Sequence, residues 1–135
     1  MTLKTYKGSC HCGAVTYEAD IDLAQGGGRC NCNICVKTRQ WGSMTKPEAV
    51  RLTSGDEMLA DYVVGGGMGH HRFCKNCGVR VFATGDIEQI GGPFAVVYLN
   101  TLDDLTPEDF GAIPIKYGDG RNDNWWNEPT ITSYL

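Results

Sequence analysis

Short runs of strand-type residues, broken repeatedly by glycine, make this sequence read as a mainly β chain. Three observations carry that expectation. A clear period of two appears early, where apolar Val15, Tyr17, Ala19 and Ile21 alternate with polar Thr16, Glu18, Asp20 and Asp22. Glycine supplies 18 of the 135 residues, and its clusters fall between the strand-like runs, where turns are needed. Helix formers are not concentrated over any long stretch. A chain of this length is expected to make one domain, residues 1–135.

Taken in order, the alternating run at 15–22 predicts a strand with one buried face. Gln25-Gly26-Gly27-Gly28 reads as a loop that delivers the chain to Cys30. A short helix is expected to begin at Asn33 and run towards Arg39. Val50-Arg51-Leu52-Thr53 predicts a strand that ends at Ser54-Gly55-Asp56. The run from Met58 to Val64 predicts another, stopped by a Gly65–Gly69 stretch too glycine-rich for regular structure. His71-Arg72-Phe73 leads into a cysteine pair, and strand character resumes from Val79 to Ala83. Phe94 to Leu99 is the most hydrophobic run and predicts a buried strand. Thr106-Pro107-Glu108-Asp109 places an N-cap threonine before proline at N1 with acids in the first turn, which predicts a helix. Tyr117 to Leu135 is aromatic and polar without a period, and predicts no element.

The formal charge is −4. Every thiolate that binds a metal makes the protein more acidic still, which argues against nucleic acid as a partner. The basic residues are scattered, so no polybasic patch for a membrane surface is expected either. No run approaches the ~18 apolar residues of a spanning helix. Met1 to Tyr6 has no apolar signal-peptide core, so a cytoplasmic location is expected. In a reducing compartment cysteines serve metals or chemistry more often than disulfides, and an odd number, seven, points the same way.

The cysteines form three clusters: Cys10-His11-Cys12-Gly13, Cys30-Asn31-Cys32-Asn33-Ile34-Cys35 and Cys74-Lys75-Asn76-Cys77-Gly78. The first and third both end in Cys-Gly, which lets backbone fold tightly around an ion, φ > 0 included. Cys10, Cys12, Cys74 and Cys77 therefore pair as one closed four-cysteine zinc site of structural type. Cys30, Cys32 and Cys35 remain. Three thiolates with one open position are the ligand set of a catalytic zinc, and a helix starting at Asn33 would favour thiolate at Cys32 and Cys35. Two other readings stay open: a site closed by His70 or His71, and a redox-active trio. His11, between two ligands, is expected to turn its ring away from the ion. His70 and His71 read as a solvated pair, and Trp41, Trp125 and Trp126 as packing residues rather than substrate stackers.

At these clusters the sequence resembles the glutathione-dependent formaldehyde-activating enzyme family, which includes centromere protein V. The pattern is Cys-x-Cys-Gly, then Cys-x-Cys-x-x-Cys, then Phe-Cys-x-x-Cys-Gly, here Cys10 to Gly13, Cys30 to Cys35 and Phe73 to Gly78, within roughly residues 5–110. The resemblance implies small antiparallel sheets coiled about zinc sites, a β-tent type of fold. It also implies a carbon–sulfur lyase that forms S-(hydroxymethyl)glutathione from formaldehyde and glutathione. Carried over residue by residue, Cys10, Cys12, Cys74 and Cys77 match structural zinc ligands, and Cys30, Cys32 and Cys35 match the catalytic ones. Trp41, just past the second cluster, departs from the family's small residues and is expected to narrow the pocket. Lys37 and Arg39 are the nearest basic anchors for an anionic thiol. The rival to this enzyme is a non-catalytic zinc module for protein interaction or metal buffering, which predicts a fourth protein ligand at the second ion.

Overall fold

The computed structural model describes residues 2–135, and the chain forms two sheets and two short helices. β1 (Lys4–Ser9), β2 (Thr16–Ile21) and β5 (Val50–Ser54) make a three-stranded antiparallel sheet in the order β1-β2-β5. A seven-stranded sheet is built from β3 (Gly27–Cys30), β4 (Gly42–Thr45), β6 (Leu59–Val64), β7 (Gly69–Cys74), β8 (Arg80–Ile87), β9 (Gly92–Tyr98) and β10 (Ile115–Gly118). Its order is β10-β3-β4-β9-β8-β7-β6, and only the β10–β3 pair is parallel.

The alternating run is β2, and its apolar members face the core: Tyr17, Ala19 and Ile21 are each at most 1% exposed. They pack against Val81, Phe82, Val97 and Leu99 from β8, β9 and the turn after β9. Tyr17 meets Phe82 edge to face at 5.7 Å, and its hydroxyl shares a hydrogen bond with Thr101 across 2.5 Å. The larger of these side chains, such as Ile21, Val97 and Leu99, each contribute about 1.5–3 kcal/mol when buried, so this layer fixes how the two sheets stack.

Both expected helices form. α1 (Asn33–Thr38) starts at Cys32 and stops at Arg39, whose φ of 53° is left-handed. α2 (Pro107–Ala112) carries the Thr106 cap, with Asp109 reaching back to the Thr106 N–H to complete a capping box. Three expectations need correction. The 25–28 stretch is not all loop, because β3 begins at Gly27. Glycine has low strand propensity, and here pairing to β10 and β4 overrides it. The Gly65–Gly69 stretch is irregular as expected over Gly65, Gly66 and Gly67, at φ 62°, 66° and 102°, but it does not run to Gly69, where β7 already begins. The featureless 117–135 stretch begins in β10 and then folds over the second cysteine cluster.

Candidate functional site

The first and third cysteine clusters are matching hairpin turns from opposite sheets. Cys10 follows β1 and Cys74 ends β7. In each turn the first cysteine's N–H bonds a carbonyl five residues on, Val15 or Val79, and Gly13 or Gly78 follows the second cysteine at φ 80° or 76°. The glycines supply the left-handed step that the sequence pattern required. Four sulfurs converge within 4.8 Å of one another, with 3.7 Å between Cys10 and Cys12 and between Cys12 and Cys74. A tetrahedral ion with bonds near 2.3 Å spaces its ligand sulfurs about 3.8 Å apart, so this group has the dimensions of a metal centre. Backbone N–H groups already favour thiolate. Those of Cys12 and Val79 lower Cys77 to about 6, and the Asn76 side chain and the Ala14 N–H lower Cys12.

Cys30 ends β3, Cys32 caps α1 and Cys35 lies in its first turn, so a strand end and a helix start bring these three sulfurs within 4.8 Å of one another. Three thiols this close cannot all ionise unaided. Cys32 is lowered by hydrogen bonds from Cys30 and Cys35, helped by the N–H groups of Cys35 and Ile34, while Cys35 is pushed far up by the same two neighbours and by burial. A cation at the focus removes that conflict, so the donor set fits a thiophilic metal. Among the described residues no histidine, aspartate or glutamate joins the trio.

The C-terminal stretch supports this cluster, and the sequence had not suggested it. Asn31, between two of the cysteines and 6% exposed, donates to Asp119 Oδ1 at 2.8 Å and accepts from the Arg121 N–H at 2.9 Å. Gly120 then lies so close to the sulfurs that a Cβ there would collide with Cys30 Sγ, and would sit 2.7 Å from Trp125 Nε1 and 3.2 Å from Cys32 Cβ. Asp119 and Asn31 are 88 positions apart, and no local pattern marks either.

On its other side Cys32 opens onto a cleft of about 630 Å³. α1 forms one wall, with Lys37; the sheet forms the other, with Tyr62, His71, Phe73 and Arg80. His71 is not solvated as expected. It is 8% exposed, and its Nδ1 lies 3.0 Å from the hydroxyl of Tyr98. Arg80 Nη2 reaches that hydroxyl, His71 Nδ1 and Gln40 Oε1. Burial and then the Arg80 charge lower His71 to about 4, so the ring is neutral at pH 7. Burial raises Tyr98, and a thiolate at Cys35 would oppose its ionisation further. His70 pairs instead with Asp61 at 2.7 Å, and His11 is exposed.

The remaining expectations divide. Lys37 does line the cleft, but Arg39 turns away and donates to the Tyr134 carbonyl at 3.1 Å. Trp41 does not narrow the cleft. It packs in the core against Phe110 at 6.2 Å, with the Arg29 guanidinium 5.4 Å from its ring. Trp125 and Trp126 stack edge to face on the surface, 48% and 66% exposed.

A mainly β frame that presents one four-sulfur group and one three-sulfur group beside a cleft defines a class of protein whose cysteine clusters could each hold a metal ion. Comparison with known proteins gives the particular family. The family model described as glutathione-dependent formaldehyde-activating enzyme matches residues 5–113, and the chain belongs to that family. The fold is also similar to the crystal structure of a Rhodobacter sphaeroides protein, a structural genomics target. That match has a TM-score of 0.68 and 27% identity, and covers 82% of this chain and 99% of the other.

Proposed function

We propose that this protein adds a small thiol, glutathione or a close analogue, to formaldehyde or another small aldehyde. That makes it a carbon–sulfur lyase of the S-(hydroxymethyl)glutathione synthase type. One observation carries the reading: the sulfurs of Cys30, Cys32 and Cys35 converge without a fourth His, Cys, Asp or Glu partner among the described residues, and Cys32 faces a cleft of small-molecule size. Cys10, Cys12, Cys74 and Cys77 hold a structural zinc in this reading, and the trio holds a catalytic one. Bound there, zinc would supply Lewis acidity and the electrostatic pull that turns a nearby thiol into thiolate. The seven free cysteines suit a reducing, cytoplasmic setting.

The chain's own contribution is placement. The thiol sulfur joins the aldehyde carbon, the carbonyl π pair moves to oxygen, and the proton lost from the thiol ends on that oxygen. This addition is easy without a catalyst, so holding thiol and aldehyde together in the cleft supplies most of the acceleration. The α1 wall fixes the reacting end of the thiol beside Cys32. The β6–β8 wall, with Tyr62, His71 and Phe73, holds the rest. The test is to follow S-(hydroxymethyl)glutathione by NMR in zinc-loaded protein given glutathione and formaldehyde. A rate above the spontaneous one, lost in Cys32→Ser, is expected. No rate enhancement at millimolar thiol would leave the non-catalytic zinc module as the better reading.

A further inference from the structure

The feature of the cleft that the thiol reading does not use is Arg80. Its position results from a break in the β-ladder. Along β7 and β8, Arg72 pairs with Phe82 but Phe73 pairs with Arg80, so Val81 is an extra residue on β8. With regular alternation Arg80 would share a face with Phe82, which packs into the core between the sheets. The bulge turns it to the opposite face, onto the cleft wall beside Phe73 and His71.

There the guanidinium is held without being neutralised. Nη2 is shared among Gln40, His71 and Tyr98, all uncharged at neutral pH. Among the described residues no carboxylate lies within 4.0 Å of it; the only ion pairs involve Arg51 and His70. Nε is buried and has no partner, and Nη1 makes no hydrogen bond to the described residues. A half-buried cation with spare donors and no counter-ion is costly unless an anion arrives to share it. The ring of Tyr98 lies 4.5 Å from the guanidinium carbon and holds its plane, which leaves the N–H groups of Nη1 as fixed, unpaired donors. Lys37 on the facing wall adds a second positive charge to the same cleft, in a chain whose net charge is −4.

We propose that Arg80 anchors a carboxylate of the thiol taken by this cleft, and so selects anionic thiols over neutral ones. The inference rests on the thiol reading of the cysteine trio but concerns the other end of the substrate. A carboxylate takes charge-assisted N–H to O bonds from the free Nη1, whose plane is already held by the Nη2 contacts, whereas the Lys37 ammonium sits on a flexible stem. Gln40, His71 and Tyr98 are positioning residues, since they act through Arg80.

Two measurements on the zinc-loaded protein test this. In the first, S-methylglutathione, which keeps both carboxylates but cannot bond through a thiolate, is titrated by calorimetry into the unaltered protein and into Arg80→Gln and Arg80→Lys. Binding is expected in the unaltered protein, weakened roughly tenfold or more in Arg80→Gln and less in Arg80→Lys. In the second, kcat and KM for mercaptoacetate are compared with those for 2-mercaptoethanol. The unaltered protein should prefer the anionic thiol through KM, and that preference should collapse in Arg80→Gln. Should Arg80→Gln fail to fold, glutathione and its diethyl ester are compared on the unaltered protein, where the ester should show a KM at least tenfold higher. Equal handling of acid and ester, no binding of S-methylglutathione at millimolar concentration, or an unchanged preference in Arg80→Gln would each overturn the assignment. If no thiol addition is accelerated but S-methylglutathione still binds through Arg80, the lyase reading fails and the anchor stands.

Discussion

Replacing Gly120 with alanine isolates what the C-terminal segment does for the three-cysteine cluster. The new methyl group meets Cys30 Sγ head-on, lies 2.7 Å from Trp125 Nε1 and 3.2 Å from Cys32 Cβ. No φ strain is involved, because Gly120 is not among the positive-φ glycines. The effect is therefore steric and local. Relief requires either that the 118–125 backbone lift away or that Cys30 rotate its sulfur off the common focus. The first strains the Asn31–Asp119 bond of 2.8 Å and the Asn31–Arg121 bond of 2.9 Å. Overpacking of this kind costs about 1–3 kcal/mol, which corresponds to roughly 5- to 150-fold in metal affinity if all of it falls on the bound state. The four-cysteine group receives no contact from Gly120 and should be unaffected. The assay is a competition titration against a chromophoric chelator, with both ions counted. In Gly120→Ala the weaker ion should leave at a lower chelator concentration while the tighter one leaves where it did before. Unchanged release of both ions, or equal weakening of both, would show that the Gly120 contact does not support the trio.

Two further outcomes follow from the same geometry. Cys77→Ser should yield unfolded or heat-labile protein, because a structural zinc contributes on the order of 10 kcal/mol to folding and the site ties together segments 62 positions apart; Cys32→Ser should stay folded, and thermal melts in the reverse order would mean that the two sites have exchanged roles. On the open face of the small sheet, Arg51 grips Asp20 through two bonds of 2.8 and 2.9 Å and, with Thr5, lowers its carboxyl from 3.8 to about 2. A depressed carboxylate contributes stability that is present above its unfolded pKa and lost as pH falls through the folded one, so Tm should lose this contribution between pH 4 and 2, and Asp20→Asn should flatten that part of the curve.

The sites were legible in the sequence to different depths. The division of seven cysteines into four and three follows from spacing and the Cys-Gly endings, because tight turns around an ion leave a local signature; the structure brings together those same groups. The β2 alternation and the Thr106 cap were legible for the same reason, since each is decided within a few residues. β3 and β10 were not, because a strand of glycines such as Gly27-Gly28 is chosen by its partners rather than by its side chains. Arg80 is a basic residue shortly after a Cys-Gly turn, yet its address in the cleft depends on one extra residue at Val81, and a register shift is a property of two paired strands. Trp41 shows the converse. It neighbours the second cysteine cluster in sequence, but β4 begins just after it and carries it away from the cleft, so that its ring joins the core beside Phe110. By itself, then, the sequence determined the chemistry of the ligands and the local turns that present them. The tertiary structure decided what surrounds the open cluster: the Asn31–Asp119 lock, the close approach of Gly120 and the uncompensated charge of Arg80. Each of these joins segments that only long-range pairing brings together, and no local pattern encodes a contact whose partner lies 88 positions away.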